Sequence, residues 1–212
     1  MNKIRALLLL IIFSLNSHAE GVIDSVTSVK LNGFELYNGT LSFQEVDNVF
    51  GQNGSVSTGL FSECTGNFDI DINYPNKSVR LEFYPEDNSG LDLDRLFSQN
   101  INVYKKSAAK ARVWIEWQNM SALTESLTVG GLAVTPDLSF ETFQRFFPVS
   151  ADKANRYSFS ENGMTSYFVI GSNGDNDESE QESVDLAYIH SVKFTFKDGT
   201  LFKLEVLQGI AC

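Results

Sequence analysis

Histidine and cysteine are nearly missing from this chain of 212 residues, with two of each. His18 lies close to the start, so His190 is the one histidine beyond it. A serine–histidine–carboxylate triad would have to use His190, between Ile189 and Ser191, and nothing marks its serine. The sequence holds no GxSxG elbow, no HExxH helix and no glycine-rich phosphate loop. Cys64 and Cys212 have neither CxxC spacing nor a neighbouring histidine, which argues against a catalytic thiol. No metal or cofactor is expected. Basic residues are scarce, 16 Lys and Arg against 27 Asp and Glu, for a formal net charge of −11. Phosphate backbones and anionic lipids repel such a chain, which disfavours nucleic-acid and membrane-surface binding.

Long apolar runs are also lacking. The longest, Ala6 to Leu15, is too short to span a bilayer. Lys3 and Arg5 precede it, and Asn16-Ser17-His18-Ala19 follows with small residues where signal peptidase reads. Residues 1–19 therefore read as a secretory signal peptide, with an uncleaved anchor as the competing reading. The expected product is exported, periplasmic or secreted, with no membrane insertion after cleavage. Removing Lys3 and Arg5 takes the net charge to −13. That charge serves either solubility or an acidic face for a basic partner. In an oxidising compartment the isolated pair Cys64 and Cys212 is most simply a disulfide, with two free thiols as the alternative.

What the chain does have is an echo. Leu41-Ser42-Phe43-Gln44-Glu45-Val46-Asp47-Asn48-Val49-Phe50 is answered 97 residues later by Leu138-Ser139-Phe140-Glu141-Thr142-Phe143-Gln144-Arg145-Phe146-Phe147. Four positions are identical and every apolar position meets an apolar one. Phe43, Val46, Val49 and Phe50 form one helical stripe, repeated by Phe140, Phe143, Phe146 and Phe147. Ser42 with Glu45 is a capping box, while Gly51 and Pro148 suit the two helix ends. Helices this short need packing on something broader, most simply a sheet.

The match continues in order. Phe61-Ser62-Glu63 meets Phe159-Ser160-Glu161, and Ser78 to Phe83 meets Ser191 to Phe196. Extended stretches with a glycine, Val29 to Phe34 and Leu127 to Leu132, precede the two helices. The reading is an α+β fold: a tandem duplication of a strand–helix–antiparallel-strands unit, with short helices packed on antiparallel sheet. The repeats are placed at residues 20–122 and 123–212, sharing one sheet or packed side by side. Phe68-Asp69-Ile70-Asp71-Ile72 and Val79 to Phe83 alternate as half-buried strands. Arg112 to Trp117 puts Trp114 and Glu116 on one face, and Val113, Ile115 and Trp117 on the other. Asp198-Gly199 between apolar runs marks a hairpin.

Two features suggest contacts with a partner. The segment 171–182 is the most biased stretch, carrying Asp175, Asp177, Glu178, Glu180 and Glu182. The glycine and final glutamate of a calcium loop are out of place in it, so a solvated loop is the first reading, with weak calcium binding or a partner contact as the alternatives. Trp114 and Trp117 are either core or part of an open binding face. Paired carboxylates for a hydrolase are the enzymatic alternative, but with 27 acidic residues such pairs cannot be assigned.

Two tandem copies of a short helix followed by antiparallel strands resemble the β-lactamase inhibitor protein architecture. A single copy resembles the outer-membrane assembly lipoproteins of the BamE/SmpA type. The residues that carry this are Gly33, Leu41 to Gly51 and Ser78 to Phe83, with Gly130, Leu138 to Pro148 and Ser191 to Phe196. The inhibitor family closes a disulfide within each copy, whereas each half here holds one cysteine; the lipidated cysteine of the lipoproteins is also missing. No functional residue is carried over. The resemblance implies a scaffold that binds another exported or envelope protein on its sheet face, as an inhibitor or immunity factor would, without chemistry of its own. A structural envelope protein with no discrete site is the further alternative.

Overall fold

The computed structural model describes residues 24–37, 40–62, 67–84, 110–152, 158–171 and 190–208. They form a mixed α+β structure of two sheets and two short helices. The first half contributes β1 (Ser25–Val26), β2 (Val29–Leu31), β3 (Phe34–Glu35), β4 (Leu41–Ser42), α1 (Phe43–Phe50), β5 (Ser55–Ser62), β6 (Asn67–Tyr74), β7 (Val79–Tyr84) and β8 (Lys110–Trp117). The second contributes β9 (Leu127–Val129), β10 (Leu132–Val134), α2 (Phe140–Phe146), β11 (Ser158–Glu161), β12 (Met164–Gly171), β13 (Ser191–Lys197) and β14 (Thr200–Leu207).

The large sheet runs β1-β12-β13-β14-β8-β7-β6-β5, with β11 also beside β12 and β4 beside β8. It passes through both halves without a break. The halves meet where β14 pairs antiparallel with β8, through Val206↔Ile115, Glu205↔Glu116 and Leu204↔Trp117. The small sheet has the same arrangement. Hairpins β2-β3 and β9-β10 meet antiparallel at Val29↔Val129, Lys30↔Thr128 and Leu31↔Leu127. The tight turns Asn32-Gly33, Gly130-Gly131, Asn162-Gly163 and Asp198-Gly199 all have positive φ at both residues. This is the hairpin geometry that glycine and asparagine accept most easily.

Both helices start as their sequences dictate. The Ser42 hydroxyl accepts from the Glu45 amide, and the Glu45 carboxylate accepts from the Ser42 amide at 2.8 Å. These bonds, with Lys110 nearby, hold the Glu45 carboxyl below its usual range. Ser139 caps α2 the same way through the Thr142 amide. Ser42 pairs with Lys110, the first residue of β8, and Ser139 bridges to Thr200, the first residue of β14. Phe43 stacks on Phe83 at 4.5 Å, and Phe140 meets Phe196 edge-on at 5.4 Å.

The expected stripe needs one correction: Phe146 is 51 % exposed and Val49 only partly buried. Six residues along a helix turn a side chain by about 120° from the first, off the buried face. Phe147, at the α2 C-cap, leaves helical geometry and returns to the core at 5 % exposure.

The core fills the space between the large sheet, the two helices and the small sheet. One close approach fixes its edge. A Cβ at Gly171 would lie 1.9 Å from the Tyr37 hydroxyl oxygen and 2.9 Å from the His190 carbonyl oxygen. Gly171→Ala is therefore expected to displace Tyr37 and destabilise the fold by about 2 kcal/mol. Chemical denaturation checks this, and an unchanged midpoint would show that Tyr37 yields freely.

A charged sheet face opposite the helices

Alternation along each strand puts Ile70, Leu81, Ile115, Val206, Val192 and Val169 into the core. Their neighbours point the other way. Register then aligns a single row across six strands: Asn73, Arg80, Glu116, Glu205, Lys193 and Phe168. Arg80 bonds Glu82 at 2.6 Å and Asp71 at 3.1 Å. Glu116 and Glu205 stand directly opposite each other, where like charges repel. Lys203 bridges them, ion-paired to Glu116 and to Glu205, the latter at 3.4 Å. Burial alone would lower the Lys203 pKa, but the two carboxylates more than offset it and raise it. Lys193 completes the row, 2.8 Å from Glu205 and over the rings of Phe159 and Phe168. Phe159 pairs with Ser166 on this same face and is 45 % exposed.

At one end of the face lies Asp69. It is 9 % exposed, and its Oδ1 has no hydrogen-bond partner among the described residues. Ile70 pairs with Phe83, so Asp69 is level with Tyr84. The Tyr84 hydroxyl donates to Glu82 at 2.6 Å instead; burial first, then that bond, holds the phenol well above its usual pKa. Burial first, then the charges of Glu82 and Asp71, push the Asp69 carboxyl up to about 6. The sign follows from linkage. A carboxyl held at about 6 in the fold against 3.8 otherwise binds its proton more tightly when folded, so stability falls as pH rises through that window. Asp69→Asn removes the ionised form and should gain about 2 kcal/mol at pH 8. The gain should vanish below about pH 4, where Asp69 is protonated in both states. Urea denaturation across this range checks it; a pH-independent difference would rule the cause out.

The aromatic expectations divide here. Trp114 lies on this face, half-buried, across from Glu82. Trp117 does not: at 1 % exposure it packs on Phe50 at 6.1 Å, so its proposed role at a partner surface is corrected to a core role. It follows Glu116 by one residue, and strand alternation turns it inward. His190 sits edge-on to Tyr37 at 6.1 Å, and burial, then the charge of Arg112, holds its pKa below the ordinary value. Cys64, Cys212, Asp175, Asp177, Glu178, Glu180 and Glu182 lie outside the described residues. Asp69, Arg80, Glu116, Lys193, Lys203 and Glu205 were not singled out by sequence. Their alternation was visible, but the row depends on which strands pair. Among the described residues, no helix is long and apolar enough to cross a membrane, and no group of His, Cys, Asp or Glu is arranged to hold a metal ion. Comparison with protein-family models, curated proteins and solved structures finds no match to this chain.

Proposed function

We propose that this chain is an exported, non-enzymatic protein-binding module that docks another exported or envelope protein on the sheet face opposite its helices. The observation that carries this reading is the charged row from Arg80 to Lys193, edged by Trp114 and Phe159. Fixed charges in cross-strand pairs present a preorganised pattern, which gives specificity to an interface. Aromatic side chains at its margin supply the contacts that dominate binding energy. A hydrolase would need a second carboxylate free to act beside Asp69. Glu82 and Asp71 are both engaged by Arg80, which favours binding over that alternative.

The scaffold is, on this reading, a tandem duplication of residues 20–122 and 123–212. The equivalent bridges Ser42↔Lys110 and Ser139↔Thr200 support it, as do the equivalent ring pairs Phe43–Phe83 and Phe140–Phe196. Antiparallel seams at β2-β9 and β8-β14 relate the halves by an approximate two-fold axis.

The Cys64–Cys212 disulfide belongs to the same proposal. The end of β5, the start of β6 and the end of β14 lie at one end of the sheet, and in sequence Cys64 follows β5 and Cys212 follows β14. Three strand spacings, about 14 Å, separate β14 from β6. A four-residue segment can span at most about 14 Å, and a disulfide adds roughly 5.5 Å between Cα atoms.

The test is capture of a partner from extracytoplasmic extract by tagged residues 20–212. Phe159→Asp should reduce capture by about tenfold or more, whereas Phe146→Asp, exposed on the helix side, should leave it unchanged. No stoichiometric partner, or loss through Phe146 alone, would overturn the proposal.

A further inference from the structure

We infer that Asp69 is the anchor point of that face, receiving an arginine side chain from the docked protein. This rests on the docking reading above and gives it a chemistry. Asp69 is nine-tenths buried, yet its Oδ1 meets no donor among the described residues. Around it the described face is acidic. Asp71 is on its own strand and Glu82 on the next, and Arg80 is committed to both. Tyr84, level with Asp69, gives its hydroxyl hydrogen to Glu82. Arg112 stands one strand further, opposite Tyr84. β5, on the other side of β6, holds no titratable residue between Ser55 and Ser62.

A buried carboxylate without a donor is held against its own desolvation and against two like charges. Each folded molecule therefore carries an uncompensated acceptor that an incoming cation would satisfy. A guanidinium fits better than an ammonium: its planar fork can donate twice to one carboxylate, and it is more weakly hydrated. It can also lie on the Tyr84 ring, which borders the site. A metal ion is less suited, since no group of three ligating side chains converges among the described residues. With an overall charge of −11, long-range attraction would bring a basic partner surface toward the chain.

The probe is Nα-acetyl-arginine methylamide, titrated into residues 20–212 and followed by NMR of the Asp69 carboxyl carbon and the backbone amides of β6 and β7. The expected result is saturable binding that weakens by about tenfold in Asp69→Asn but by less than about threefold in Asp71→Asn. Binding should also weaken as pH falls below about 6. A purely structural role for Asp69 would not produce that profile. No saturable shift, or equal loss in both variants, overturns the anchor. The docking reading is judged separately. If Asp69→Asn captures the partner as well as the wild type does while Phe159→Asp does not, docking stands and the anchor falls.

Discussion

Phe143→Ala should cost about 4 kcal/mol, close to the stability of a whole small domain. Phe143 is fully buried at the centre of α2. Its ring lies 4.8 Å from Phe194, 5.2 Å from Phe196, 5.5 Å from Phe147 and 5.7 Å from Tyr167. No single neighbour can fill the volume it leaves, because each is itself wedged against the others. A seven-residue helix has little stability of its own, so α2 should loosen with it. Val46 occupies the matching place in α1, and Val46→Ala should cost only about 2 kcal/mol, since fewer atoms are lost. Urea denaturation of both variants checks the contrast. A loss below about 1 kcal/mol for Phe143→Ala would mean that the ring cluster does not hold α2 to the sheet.

Lys203→Met is the second large effect, expected at about 3 kcal/mol near neutral pH. Lys203 stands between Glu116 and Glu205, directly opposed at the seam where the halves join. Glu205 is 3 % exposed, and although Lys193 still reaches it, Glu116 loses the ion pair that Lys203 supplies. Methionine keeps the apolar stem but removes the charge, so the loss reports electrostatics rather than packing. The folded pKa of Lys203 is raised, so its stabilisation is fully present below the ordinary lysine value and is lost as pH rises through the higher folded value, where the difference between Lys203→Met and the wild type should close. A pH-independent loss would point to packing instead.

How far these features could be read in advance varies with the element. The capping box at Ser42 and Glu45, the alternation of Arg112 to Trp117 and the Asp198-Gly199 hairpin are local, and the structure holds each where the residues indicate. The stretches that form the small sheet were legible as extended, but their pairing was not. Its strands β2 and β9 are three residues each and pair across almost a hundred positions. The parallel contact of Ser25 with Ile170 left no signal either. Phe146 and Trp117 show the limits of residue type. One is an exposed aromatic and the other a buried one, because helix angle and strand parity decide burial. The charged face was hardest to foresee. Arg80, Glu116, Glu205 and Lys193 are ordinary charges in sequence and become a row only through pairing of four strands.

The most direct measurement is hydroxyl-radical footprinting of residues 20–212, alone and with the captured partner bound. Phe159 and Phe146 are exposed to similar extents, 45 % and 51 %, on opposite sides of the large sheet. Docking on the charged face should protect Phe159 and Trp114 and leave Phe146 unchanged. Protection of Phe146 with none at Phe159 or Trp114 would place the partner on the helices and contradict the account.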